Sequence, residues 1–228
     1  MIAPECLKDA LALALTQGEE CTIRPAEDGW HIALKSTDTV SLCDLLVKAE
    51  AFDGYEAGEA FAFRTKSLID ALARTSPAEI SVGERIEVRG RDMTVRLAKY
   101  AENATFKAPQ LEMDSSAIVP ADRLRQLTAG ADSDRTVMLQ TTAEGLLAEV
   151  SDEQGLGVSL MLPAEKLTLL SGEARAHYPL FHMVPLLKAL PRDAQLCMEF
   201  SSDYPLRMSC VFDGWTATMM VAPRIIDE

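Results

Sequence analysis

No apolar run in this 228-residue chain approaches the ~18 residues that a membrane-spanning helix needs. The first residues lack a basic stretch followed by a greasy one, so no secretory signal is expected. Cysteines are few, scattered and odd in number: Cys6, Cys21, Cys43, Cys197 and Cys210. None forms a CxxC pair, which excludes a disulfide framework and points to small buried thiols in a reducing cytoplasm. The three histidines, His31, His177 and His182, form no HExxH and sit near no cysteine pair, so zinc is not expected. There is no GxSxG, no phosphate-binding loop and no GxGxxG, which removes the usual signatures of hydrolases, nucleotide hydrolases and dinucleotide enzymes. Asp132 and Asp134 resemble a carboxylate pair, but Asp and Ser together favour turns, and a turn is the reading adopted. No cofactor and no metal is expected, and the chain is read as a non-enzyme. Bases are also short, 22 against 35 acids for a net charge of −13, which argues against a protein coated with phosphate contacts.

Apolar residues make up 48% of the chain, enough for a substantial core in one large or two small domains. Leu7, Ala10, Leu11, Ala14 and Leu15 recur at helical spacing after Pro4, and Gly18 suits the exit. Strands are expected at 21–24 and 30–34 around the turn Glu27-Asp28-Gly29, and again at 39–47. A second helix, 65–75, carries Leu68, Ile69 and Leu72 and stops before Pro77. Alternating segments 80–82, 85–89 and 93–97 follow. The second half repeats this order. A short helix starts after Pro120 with Leu124 and Leu127, and strands are expected at 136–140, 146–150 and 158–162. A helix over 181–190 ends at Pro191, and strands 195–200, 206–212 and 216–221 close the chain, the last two joined at Asp213-Gly214. Each half thus reads helix, strands, helix, strands. That pattern predicts an α+β fold of two similar domains, each an antiparallel sheet with paired helices on one face. The expected division is 1–110, a short connector 111–116, and 117–228.

Several stretches resemble the DNA sliding clamps of the archaeal and eukaryotic proliferating-cell-nuclear-antigen family. The C-terminal Met220-Val221-Ala222-Pro223-Arg224-Ile225 is similar to the family's apolar strand followed by Ala-Pro-Lys/Arg-Ile. Ser202-Asp203-Tyr204-Pro205-Leu206-Arg207-Met208 resembles its strand entry after a proline. Glu27-Asp28-Gly29, Val40-Ser41-Leu42 and Ala51-Phe52-Asp53-Gly54-Tyr55-Glu56 follow the order of its first domain, and Ala131-Asp132-Ser133-Asp134 falls at its Asp/Ser turn. The resemblance covers nearly the whole chain. It implies the DNA clamp fold and a ring of three subunits, a processivity factor that encircles duplex DNA without reading its sequence. It also implies that DNA polymerase, a clamp loader and other clamp-binding proteins dock through short peptide motifs. No membrane role is implied, and the expected location is cytoplasmic.

Within that frame the four helices carry Lys8, Arg64, Lys66, Arg74, Arg123, Arg125 and Lys188 against Glu5, Asp9, Asp70 and Asp122. Seven bases against four acids leave the helices at +3 and the rest of the chain at −16, the segregation a basic inner wall requires. These seven bases are the expected DNA-facing residues. By position in the family, Val40, Leu42, Pro205, Met220, Ala222, Pro223 and Arg224 are the expected peptide pocket. Edge segments 103–108 and 172–178 are expected to join subunits, with Phe106, Lys107, Arg175 and Tyr178 at the seam.

Two departures from the family stand out. Only Met1-Ile2-Ala3 precedes Pro4, where the family has a full strand. Residues 110–116 are all that connects the halves, roughly a dozen residues fewer than the family's connector, in a segment type that carries function. Both features favour an alternative in which a clamp-like paralogue works as a monomeric or hetero-oligomeric regulator.

Overall fold

The turn at Glu27-Asp28-Gly29 closes because residue 29 is glycine. Its φ is 142°, and a Cβ there would collide with the carbonyl of Val47. The computed structural model describes residues 1–102, 108–132, 134–151 and 157–225. It divides into two units, Met1–Ala108 with Val211–Ala217, and Pro109–Cys210 with Thr218–Glu228.

The first unit runs α1 (Cys6–Leu15), β1 (Glu20–Ala26), β2 (Gly29–Lys35), β3 (Ser41–Lys48), β4 (Phe61–Arg64), α2 (Thr65–Arg74), β5 (Glu79–Val82), β6 (Ile86–Arg89) and β7 (Thr94–Leu97). Strands lie in the order β4-β1-β2-β3 and β5-β6-β7, with antiparallel pairing along both. Helices α1 and α2 pack side by side, and α1 lies on β3. Trp30 on β2 is fully buried and meets Phe52 at 4.9 Å and Phe61 at 5.6 Å, burying a large apolar surface at the centre of the unit. The end of α1 is tied to the start of β3 by Ser41 Oγ donating to Gln17 Oε1 at 2.8 Å, both residues being buried.

The second unit runs β8 (Ser115–Pro120), α3 (Ala121–Thr128), β9 (Thr136–Thr142), β10 (Gly145–Ser151), β11 (Gly157–Pro163), β12 (Leu170–Ser171), β13 (Ala174–Pro179), α4 (Leu180–Ala189), β14 (Gln195–Phe200), β15 (Leu206–Phe212) and β16 (Trp215–Val221). The tip of the β15–β16 hairpin counts with the first unit. Strand orders here are β11-β10-β9-β13 and β12-β8-β14-β15-β16. Helices α3 and α4 pack together, with Leu124, Leu127, Met183, Leu186 and Leu187 buried.

The duplication extends to single hydrogen bonds. Gly145 opens β10 with φ 152° and presses on the Leu162 carbonyl as Gly29 presses on that of Val47. Ala49 N donates to Asp28 O at 2.9 Å, and Ala164 N donates to Glu144 O at 2.8 Å, each at the start of a single 3-10 turn. The α+β architecture of antiparallel sheets with paired helices is therefore present in both units.

The differences from expectation are local. Strand β4 shows no alternation because Phe61, Ala62 and Phe63 are all buried, and β12 is only two residues long. In α1, Leu13 is buried while Leu15, in the last turn, is only half-buried, because α1 is apolar around most of its girth. The three residues before Pro4 do pair: Ile2 N donates to Asp53 O at 2.8 Å, Ala3 N to Ala78 O at 2.7 Å, and Met1 O accepts from Ile80 N at 2.8 Å. Segment 103–107 and the turn at Glu153-Gln154-Gly155 lie outside the described residues.

Candidate nucleic-acid interface and partner surfaces

The cations expected on the helices divide into three groups. Lys66, Arg74, Arg123 and Lys188 are exposed on α2, α3 and α4. Lys66 Nζ reaches Asp70 at 3.3 Å one turn on, a surface pair worth a few tenths of a kcal/mol and readily exchanged for another anion. Arg123 Nη1 donates to Gln126 Oε1 at 3.3 Å. Lys8 on α1 is half-buried, and Arg64 at the end of β4 is exposed and paired with Glu19 at 2.8 Å.

Arg125 stands apart. Its Nε donates to Leu187 O at 2.7 Å, Nη2 donates to Leu190 O and Pro191 O, both at 2.7 Å, and Nη1 donates to Arg192 O at 3.3 Å. Only 17% of its side chain is exposed. A guanidinium committed to four carbonyls is a fold element, so Arg125 leaves the group of expected phosphate contacts. Spacing along α3 put it beside Arg123, but helix periodicity does not reveal that the end of a neighbouring helix lies within reach.

Of the expected subunit seam, only the half on β13 falls among the described residues. Phe106 and Lys107 lie outside the described residues. Tyr178 is fully buried, donates its hydroxyl to Tyr204 O at 2.8 Å, and has its phenol pushed up by burial. It therefore offers no apolar surface to a neighbour. The alternation Ala174, Ala176, Tyr178 on β13, all buried, was the sequence signal for this, with Arg175 exposed between them. The outer edge of β13 is engaged as well: Arg224 N donates to His177 O at 2.7 Å and Arg175 N to Ser202 Oγ at 3.1 Å. Strand β11, at the opposite edge of the same sheet, turns Val158 (58% exposed) and Met161 (48%) to solvent. In the first unit, β7 lies at one edge of the β5-β6-β7 sheet, with Val95 and Leu97 half-buried along it.

The seven expected pocket residues fall in both units. In the first, Val40 and Leu42 are half-buried. Val40 is presented by a turn in which Asp38 accepts from Val40 N at 3.2 Å and from Ser36 Oγ at 2.6 Å, with Thr39 at φ 62°. In the second, Pro205, Ala222 and Pro223 are half-buried and Arg224 is exposed, its Nη1 donating to Asp134 O at 3.3 Å. Met220 is buried and belongs to the core.

Among the described residues no cluster of His, Cys, Asp and Glu could hold a metal ion, and no helix is long and apolar enough to cross a membrane. The fold and its paired helices define a DNA-clamp architecture. No family model matches the chain. It is 26% identical over 242 residues to the DNA polymerase sliding clamp of Natronomonas pharaonis, covering 99% of this chain and 97% of the relative. Its identity to the sliding clamp of Haloarcula marismortui is 24% over 243 residues, covering 100% and 98%. Among solved structures, A. fulgidus PCNA bound to the C-terminal region of FEN-1 superposes with a TM-score of 0.89 at 20% identity over the full length of both chains. The PCNA2–PCNA3 complex from Sulfolobus tokodaii gives 0.83 at 18% identity, covering 98% of each. Over its whole length the chain is similar to DNA polymerase sliding clamps in sequence, and it shares the fold of solved clamps. Its alignment with the Natronomonas clamp is longer than its own 228 residues, so the relative carries residues that meet gaps here.

Proposed function

We propose that this protein is a DNA polymerase sliding clamp, a non-catalytic ring that encircles duplex DNA and tethers replication and repair proteins to it in the cytoplasm. The observation that carries the reading is the pairing of α1 with α2 and of α3 with α4, each pair bearing exposed cations in a chain of net charge −13, on a fold shared end to end with solved clamps. Lys and Arg on mobile stems attract phosphates without reading bases, so the ring is held on DNA yet free to slide. Lys8, Arg64, Lys66, Arg74, Arg123 and Lys188 form the DNA-facing set.

Ring closure is assigned to a head-to-tail contact between β11 of one subunit and β7 of the next. Two different edges that pair repeatedly generate a closed ring when the rotation closes. Exposed Val158 and Met161 on β11 supply apolar contact beside the main-chain bonds. The test is retention on DNA: the protein, loaded on nicked circular DNA, stays bound through a high-salt wash and runs off once the circle is linearised. Equal loss from both forms would leave a binding protein and not a clamp. A mixed ring is the second reading, favoured by the short connector. It is tested by the mass in solution, where a homotrimer forms alone and a mixed-ring subunit stays monomeric until its paralogue is added.

A further inference from the structure

Helix α4 is poorly equipped to end on its own. Pro185 lies inside it and supplies no N–H to the carbonyl one turn earlier. Its C-cap, Leu190, is extended, with φ −71° and ψ 149°, and the next residue is Pro191, so neither a left-handed glycine cap nor a following N–H is present to satisfy the last carbonyls. Donors therefore have to come from elsewhere, and Arg125 brings them from α3, two bonds to Leu187 O in the last turn and Leu190 O at the cap and two to the carbonyls just beyond the helix. It reaches Leu187 O, Leu190 O, Pro191 O and Arg192 O at 2.7–3.3 Å. Its positive charge also sits at the negative end of the α4 dipole. Two of these carbonyls, Leu187 and Leu190, flank exposed Lys188 in the chain.

We infer that Arg125 is a positioning residue of the DNA-facing wall: it ties the C-terminus of α4 to α3 and so fixes Lys188 relative to Arg123, without touching DNA itself. This rests on the clamp reading for its consequence but not for its structural part. Lysine cannot replace arginine here, because a single ammonium does not present a planar fork of five donors to several carbonyls.

The test compares R125K, R125Q and R125A with the wild-type chain by two measurements. Without DNA, hydrogen exchange of amides 186–190 is expected to rise at least tenfold in R125Q, and R125K is expected to resemble R125Q, not the wild type. On circular DNA, dwell time should shorten in both R125Q and R125K while the slope of log affinity against log salt stays unchanged, since no phosphate contact is lost. R123A serves as the contrast, lowering that slope by about one per subunit. A wild-type dwell for R125K with a lowered slope for R125Q makes Arg125 a phosphate contact and overturns the inference, as does unchanged exchange in α4. If R125A fails to fold, the milder R125Q and R125K decide. If the wild-type protein itself is not retained on circles, the clamp reading fails while the exchange measurement still decides the role of Arg125.

Discussion

Arg207 grips both carboxylate oxygens of Glu199 from the neighbouring strand, Nε to Oε2 and Nη2 to Oε1, each at 2.8 Å, and with Nη1 it holds the carbonyl of Leu111 at 3.1 Å. The two residues are direct partners in the β14–β15 ladder, so the fork-to-fork geometry is set by strand register. The bonds from Arg207 hold the Glu199 carboxyl below its ordinary value of 4.5. The stabilisation is therefore full above pH 4.5 and is lost as pH falls through the lowered value. E199Q should cost about 1 kcal/mol near neutral pH, modest because the pair is partly in water, and the deficit should shrink below pH 4. Denaturant melts at pH 7 and pH 3.5 check this, and an equal deficit at both would mean that charge plays no part.

Reversing charge on the exposed helix cations should weaken association with duplex DNA. K66E with R123E is expected to lower affinity at least tenfold in low salt, independent of sequence, and to leave the melting temperature within a few degrees. Fluorescence anisotropy on two unrelated duplexes reads the first effect and calorimetry the second. Unchanged binding would show that these helices do not face DNA.

At the proposed seam, V158K and M161K should yield folded monomers. Y178A should behave differently. Removing a fully buried ring is expected to destabilise the fold by about 3 kcal/mol, whatever the oligomeric state. Light scattering paired with thermal melts separates the two. Trimers persisting in M161K would move the seam away from β11.

Partner docking should be weak for a clamp. On the proposal that residues 110–116 are the whole connector, a Gln-x-x-aliphatic-x-x-aromatic-aromatic peptide loses most of the wall it would pair with. Its affinity should fall short of a long-connector clamp by about 1–2 kcal/mol, roughly tenfold. Titration calorimetry measures this, and P223E should abolish what binding remains. Binding untouched by P223E would place the partner surface elsewhere.

Thiol chemistry offers an independent check of the packing. Burial pushes Cys21 and Cys210 up to about 12, so neither should be alkylated at pH 8 in the folded chain. Half-buried Cys6 and Cys197 should react first, as peptide mass mapping would show. Early modification of Cys21 would contradict the β1–β4 core.

Period and punctuation alone determined much of this protein. Leu68 and Leu72 at helical spacing, the alternation in β14, and turns at Gly29 and Gly214 are local consequences of side-chain direction and backbone freedom, so the elements and their duplication were legible. So was the segregation of charge onto the helices. Tertiary structure decided what each side chain meets. Arg125 and Arg123 are two residues apart on one helix, yet one caps α4 and the other faces water, because the end of α4 lies beside only one of them. Tyr178 and Arg175 share a strand, but the pleat sends the tyrosine into the core. Which strands lie at sheet edges, β7 and β11 among them, follows from long-range pairing, and hydrogen bonds between segments distant in sequence leave no trace in the local pattern that periodicity reads.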